Sequence, residues 1–461
     1  NITSDRQLIE HVGMRMDLLF FIDHDIDEPL PWHSTLSRTR KLLPDAIFEE
    51  AFDRVLAMCV ENGMVAGHTQ AVDSAYIKAN ASLDSLEVKK PESSVKEHID
   101  QVKRLNDSGS DEDEDNNDVP RRKAKEDHSS QEQKTQQSSK SQIRDIDRQQ
   151  QSFRENKRGR LGSGHPKARY LSNKTHYSPV DPDARVAVKP GKPRLLYYMS
   201  SMSVDTENHV ITHMRANYAD RSDSLNTIDL SRQTQRRLRR QGLEMKNLLA
   251  DAGYSNGENY KYFEHSNITG YMPVHGKYKG GPGDMTYEPE HDRWRCRQGK
   301  YAEYKKTAYQ KNHPEHHYRT CRADCKGCPL KETCIGKAHE RSIRVTAYKD
   351  EYDRAIERAK SPKGRYYKTL RHSTVEPVFG TLINYMGMRK INTRGIESAN
   401  KVMLMAAMAY NLKKLLKYQG KGGHKDAISK AIGKSHRYFE AVLKLFYLKI
   451  DLIFRRKPGM C

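Results

Sequence analysis

Residues 69–79 read TQAVDSAYIKA. Side chains alternate across an extended chain, so Ala71, Asp73 and Ala75 share one face and Val72, Ser74 and Tyr76 the other. The stretch predicts a strand with one acid, Asp73, near its end. Upstream, the period changes. Leu42, Ile47, Phe48, Ala51, Phe52, Val55, Leu56, Met58 and Cys59 recur at helical spacing. Pro29 and Pro31 break the chain and Ser34 or Thr35 offers an N-cap, so residues 1–68 predict a helical N-terminal domain.

Downstream of 69–83, composition shifts. Between Gln101 and Gln150 six of fifty residues are hydrophobic and none is aromatic. Such a stretch buries too little apolar area to offset chain entropy, so 84–168 is expected to be a disordered charged insertion. Order is expected again over 169–277. There Leu195–Val204 and His209–Arg215 flank the turn Asp205-Thr206-Glu207-Asn208, a hairpin signature. Leu225–Gln241 follows as a helix stopped by Gly242, and Met245–Ala250 as a short strand running into a second acid, Asp251. Residues 278–345, rich in Tyr, His, Lys, Gly and Cys, read as an insert. Residues 346–418 are mostly helical and carry a third acid, Glu376. Thr374 is read as the cap and Pro377 as a first-turn residue of its helix. A basic tail, 419–461, closes the chain.

The 461 residues hold 81 Lys+Arg against 60 Asp+Glu, a formal charge of +21. That excess points to a polyanion, because Lys and Arg neutralise phosphates and release counterions. The longest apolar runs are too short to span a bilayer, and no membrane partner is expected. No charged-then-apolar leader precedes the helices, although Asn1 in place of Met leaves a longer N-terminus open. Seven cysteines fit a reducing, intracellular setting.

Asp73, Asp251 and Glu376 are far apart in sequence, yet a mixed α/β sheet can gather them. Three convergent carboxylates repel unless a cation lies between them. Two Mg²⁺ ions, or Mn²⁺, would resolve that and would activate an attacking oxygen while stabilising the leaving one. Asp181 and Asp183 are rival ligands. Their other reading is a Pro-bounded turn before the sheet. Arg232, Arg236, Arg237 and Arg240 crowd one helix and point to DNA backbone contact. Cys321-x3-Cys325-x2-Cys328-x5-Cys334 suits tetrahedral zinc with four thiolates, stabilising an insert too small for a core of its own. A disulfide pair or free thiols are the other readings. The tyrosines of the insert are read mostly as its core.

The segments VDSAYIKANAS (72–82), LLADAGYSNGENY (248–260) and TVEPVFGTLINYMGMRKINTRG (374–395) resemble the three acid-bearing blocks of bacterial DDE insertion-sequence transposases. PWHSTLSRTRKLL, IFEEAFDRVLAMCVENGMV and DPDAR resemble other blocks of one large subgroup, which also carries Cys-rich inserts. The resemblance implies an RNase H-like mixed-sheet core. It implies Asp73, Asp251 and Glu376 as the metal-binding triad, cleavage at the terminal inverted repeats of an element, and joining of the freed 3′-OH to target DNA. It also implies a homodimer or larger assembly on double-stranded DNA, in the bacterial cytoplasm at the nucleoid. The pattern departs from the family near Glu376. Arg371 lies five residues before it, Tyr367 four before that, and Ile383 stands where related enzymes often have Lys. Arg371, Arg389 and Lys390 are then expected backbone contacts. A catalytically inactive, domesticated DNA-binding descendant is the alternative, and a nuclease that cuts without joining is a third reading.

Overall fold

The computed structural model describes residues 2, 4–89, 135–137, 172–188, 194–276, 278, 280–310 and 313–421. The disorder expected over 84–168 and the basic tail 419–461 fall mainly outside those residues.

Four helices open the chain: α1 (Asp5–Gly13), α2 (Met16–Phe21), α3 (His33–Leu42) and α4 (Asp45–Glu61). In α4 Phe48, Phe52, Leu56 and Cys59 recur on one face, and all four are buried in the same apolar cluster as the sheet. α4 is therefore part of the main core and not of a separate unit.

The sheet begins with β1 (Thr69–Lys78). Gly67 makes the entry turn. Its φ of +80° is open to glycine, and a Cβ there would meet the Leu243 side chain at 2.8 Å. β2 (Leu195–Asp205) runs antiparallel along all of β1, and β3 (Ile211–Tyr218) antiparallel to β2. On the other edge of β1, β4 (Asn247–Leu249) and then β5 (Thr269–Tyr271) are parallel. The spatial order is thus 3-2-1-4-5, with one reversed strand, β2, which also pairs antiparallel with a sixth short strand, Arg185–Ala187. This is an RNase H-like mixed sheet. Asp73 was expected near the strand's end but lies mid-strand, because β2 continues to pair with β1 as far as Lys78.

Helices α5 (Asp223–Arg240) and α6 (Gly257–His265) follow β3 and β4. After an insert, α7 (Lys349–Lys360), α8 (Pro362–Tyr385) and α9 (Ile396–Lys421) complete the described residues. α9 packs on α4 and along β3. Two of its side chains bond the outer edge of β3. Asn411 accepts from Ile211 N (2.9 Å) and donates to Ile211 O (2.8 Å), and Asn400 accepts from Ala216 N (3.1 Å).

The insert is a five-stranded antiparallel sheet, β6 (Met285–Glu288), β7 (Arg293–Cys296), β8 (Tyr301–Gln310), β9 (His313–Thr320) and β10 (Ser342–Thr346). It has a small core of its own, Met285, Trp294, Ala302, Tyr318, Ile343 and Val345, which corrects the expectation that it has none. Of its tyrosines, Tyr318 is buried, while Tyr304 and Tyr309 are exposed.

Arg237 corrects a second expectation. It was read as a DNA contact, but its side chain is 8% exposed. It pairs with Glu49 and with Asp53 (2.7 Å), lies over the Phe52 ring and donates to His213 Nδ1. It therefore joins α4 to α5 and β3. Its position follows from helix period, since Leu230, Thr234, Arg237 and Leu238 share the buried face of α5. Burial lowers its pKa to about 10, so it stays charged at neutral pH.

Arg237→Ala should cost about 3 kcal/mol in denaturant unfolding, because it strands two carboxylates at a buried joint. Arg237→Lys should recover only part, since an ammonium lacks the guanidinium fork. The buried ring of His213 gives a pH signature. Burial depresses its pKa from 6.5 to about 3. The unfolded chain takes up a proton there that the folded chain refuses. Stability from this group is thus full above pH 6.5 and falls as pH drops toward 3, by at most about 1.4 kcal/mol per pH unit. Urea midpoints measured from pH 7 to 4 should fall less steeply in His213→Asn.

Candidate active site

Parallel pairing places the first two acids. The last paired residues are Ala71 and Leu249, and two residues further along each strand lie Asp73 and Asp251. Adjacent strands are spaced about 4.8 Å apart, so the two carboxylates leave the sheet as neighbours. Asp251 caps a single 3₁₀ turn, its Oδ1 accepting from Gly253 N (2.8 Å). Asp73 Oδ1 accepts from Ser74 N (2.8 Å) and its Oδ2 from Arg371 Nη1 (3.2 Å).

Tyr254 ties the two acid-bearing segments together. It belongs to the Asp251 turn, and its hydroxyl bonds Ser74 Oγ (2.6 Å), which in turn meets Ser201 Oγ on β2 at 3.0 Å. The ring is fully buried. Burial, with the charges of Asp223, Asp73 and Asp251, raises its pKa well above the usual value, so the hydroxyl keeps its proton. Asp223, in the first turn of α5, is a fourth carboxylate here. A Cβ built on Gly253 would sit 3.0 Å from Asp251 Oδ1 and 3.5 Å from Asp223 Oδ2. Neither Tyr254 nor Asp223 was singled out from the sequence. Tyr254 carried a signal, three residues after Asp251 in an otherwise glycine-and-serine turn.

Glu376 lies on α8, but not at its start. The helix begins at Pro362, capped by Ser361 Oγ on Gly364 N (3.0 Å), and Pro377 sits inside it. Thr374 does not cap; its hydroxyl donates back to Leu370 O (2.7 Å). Arg371 is one and a half turns before Glu376, so the helix that carries the third acid is bonded to the first one. Arg371 is 7% exposed and paired, which makes it a partner of the acidic centre in place of the expected outward DNA contact. The Glu376 carboxylate itself accepts from His372 Nδ1 (2.6 Å), one turn earlier, and is 63% exposed. His372 was missed too, although its i, i+4 spacing was visible. Tyr367 stands edge-on to Tyr271 at 4.6 Å and so packs α8 onto β5.

The rival acids are accounted for. Asp181 is fully buried, its Oδ1 accepting from Tyr198 OH (2.6 Å) and Gly395 N (3.0 Å). Asp183 Oδ2 accepts from Ile396 N (2.9 Å). Both serve the N-terminus of α9, where donors await partners and the dipole favours negative charge.

Two family models match parts of the chain. Residues 295–416 match the family model described as a transposase DDE domain, and residues 1–42 match a transposase domain (DUF772). Both matches indicate a DDE-type insertion-sequence transposase. No curated protein matches it. The DDE match contains Glu376 and most of the insert; Asp73 and Asp251 lie before it. Transposases of this type are divalent-metal-dependent and bind DNA. Among the described residues no three His, Cys, Asp or Glu side chains are grouped as a metal site, and no helix is long and apolar enough to cross a membrane. The cysteines expected to bind zinc are free, with Cys321 exposed and Cys325, Cys328 and Cys334 half-buried. Of the expected DNA contacts, Arg232, Arg236 and Arg240 on α5, and Arg389 and Lys390 after α8, are exposed. Arg232 lies over the Tyr262 ring and Arg240 pairs with Asp53.

Asp181→Ala should lower unfolding stability by about 1–3 kcal/mol by orphaning a tyrosine hydroxyl and an amide. The shift in melting temperature on adding Mg²⁺ should survive that change; its loss would make Asp181 a ligand after all.

Proposed function

We propose that this transposase cuts DNA at the ends of an insertion sequence and joins the freed 3′-OH to target DNA, with Asp73, Asp251 and Glu376 as its metal-holding acids. The observation that carries the reading is the register that sets Asp73 beside Asp251, with the Glu376 helix bonded to Asp73 through Arg371. Hard carboxylate oxygens that solvent partly reaches fit Mg²⁺ or Mn²⁺. When bound, two such ions supply charge for the attacking and leaving oxygens of phosphoryl transfer.

The chain's own groups do the rest. Backbone amides of Ser74 and Gly253 fix one oxygen each of Asp73 and Asp251. Arg371 holds the other oxygen of Asp73 and offsets its charge. His372 holds Glu376, and exchange of that bond for an ion would bring the third acid inward. Arg232, Arg236, Arg240, Arg389 and Lys390 contact phosphates of the duplex, a role their exposure permits. The N-terminal helices bind the terminal repeats and pair two copies. Phe20 (80% exposed) and Trp32 (77%) supply apolar surface for that assembly. Action at the nucleoid, in the cytoplasm, belongs to the same reading, as does a structural zinc in the insert.

An inactive DNA-binding descendant is the second reading, and Glu376 turned outward onto His372 is the observation in its favour. A duplex carrying the element's end separates the two. With Mg²⁺, wild type should nick it and then form strand-transfer products. Asp251→Asn should lose about 10³-fold in rate, as expected for several kcal/mol of transition-state charge stabilisation. Its DNA affinity should not change. Wild-type binding without any cleavage supports the descendant; cleavage without joined product supports a nuclease.

A further inference from the structure

We infer that Cys296, Cys325, Cys328 and Cys334 form one structural zinc site in the insert, and that Cys321 lies outside it. The sequence spacing favoured Cys321, because four thiols then fall within fourteen residues. The fold favours a different set.

Cys296 ends β7 at a tight turn. Its N–H donates to Lys300 O (2.8 Å), its carbonyl accepts from Gly299 N (2.9 Å), and Gly299 takes φ +73° with open space around it. Cys325 lies in the short helix Arg322–Lys326, and Cys328 follows two residues past its end, after Gly327. A closed tetrahedral site needs four thiolates from such neighbouring segments. Several contacts hold them together. Lys300 Nζ meets Asp324 Oδ1 at 3.3 Å, linking the Cys296 turn to the segment that carries Cys325. Arg341 links the rest. Its N–H donates to Thr320 Oγ1 (2.9 Å), which lies 3.1 Å from Cys325 Sγ. Its Nη1 donates to Cys334 O (2.6 Å), and its Nη2 bonds Asp284 (3.1 Å), next to Met285, the residue paired with Cys296 across the β6–β7 ladder.

The electrostatics agree. Arg341 Nε is buried with no partner, a donor that a thiolate would satisfy. Four thiolates on Zn²⁺ carry a net charge of −2, and Arg341 and Lys300 stand beside them to offset it. Cys321, by contrast, is exposed at the start of the short helix Arg322–Lys326.

The site would cross-link an insert whose core holds six buried side chains. It is independent of the acidic centre, since zinc content and DNA cleavage are read separately. Full-length protein, purified without chelator, should hold about one zinc per chain by elemental mass spectrometry. Cys321→Ser should keep it and Cys296→Ser should lose most of it. Because a variant can fail to fold, the wild type carries the second test. Alkylation followed by peptide mapping should label Cys321 at once and Cys296, Cys325, Cys328 and Cys334 only after chelation. Protection of Cys321 with Cys296 labelled overturns the assignment. So does a folded wild type that holds no zinc and labels all five alike.

Discussion

Three residues of parallel pairing, Thr69–Ala71 against Asn247–Leu249, set where Asp73 and Asp251 stand relative to each other. They join segments 178 residues apart, and Asn247 Nδ2 donates to Thr69 Oγ1 (3.1 Å) at the first rung. Side chains alternate along a strand, so a slip of one residue would turn one acid to the opposite face from the other. The register is held from both sides. β2 pairs with β1 over nine residues on one edge, and Tyr254 reaches from the Asp251 turn to Ser74 on the other. Val72 and Ala71 are fully buried, so apolar burial resists the slip as well.

Much of this was legible in the sequence, and the misreadings have physical causes. The alternation in TQAVDSAYIKA identified β1, and the turn residues 205–208 identified the hairpin. What alternation does not reveal is where a strand stops, because that depends on the length of its partner; hence Asp73 fell at an end in one reading and mid-strand in the structure. A proline after a Thr suggested a helix start at 374. Pro377 lacks the N–H that would bond the Ser373 carbonyl, yet the helix runs through it. Val375, Val378, Phe379 and Leu382 on that helix are buried, and their packing outweighs the missing bond.

Charge was legible as a total and not as a map. Two arginines expected to face DNA are inside, each against acids: Arg237 with Glu49 and Asp53, and Arg371 with Asp73. Their pairing is what lets carboxylates sit in partly buried places. The cations left outside, on α5 and after α8, are those that solvent already reaches. Asp181 and Asp183 show the same economy of placement among acids. Both are spent on the first amides of α9, which fastens the turn before β2 to a helix more than 200 residues later.

The asparagines of α9 have a consequence of their own. The outer strand of a sheet normally exposes a row of amides and carbonyls to which a stray chain can attach. On β3, Asn411 occupies both groups of Ile211 and Asn400 occupies the amide of Ala216, from a helix that also covers the strand. Lateral growth of the sheet is blocked on that flank. At the opposite flank β5 is three residues long, too short to template much. Copies of this protein that come together on a nucleic acid must therefore meet through helices, through the insert or through the duplex itself, and not by extending the central sheet from one subunit into the next.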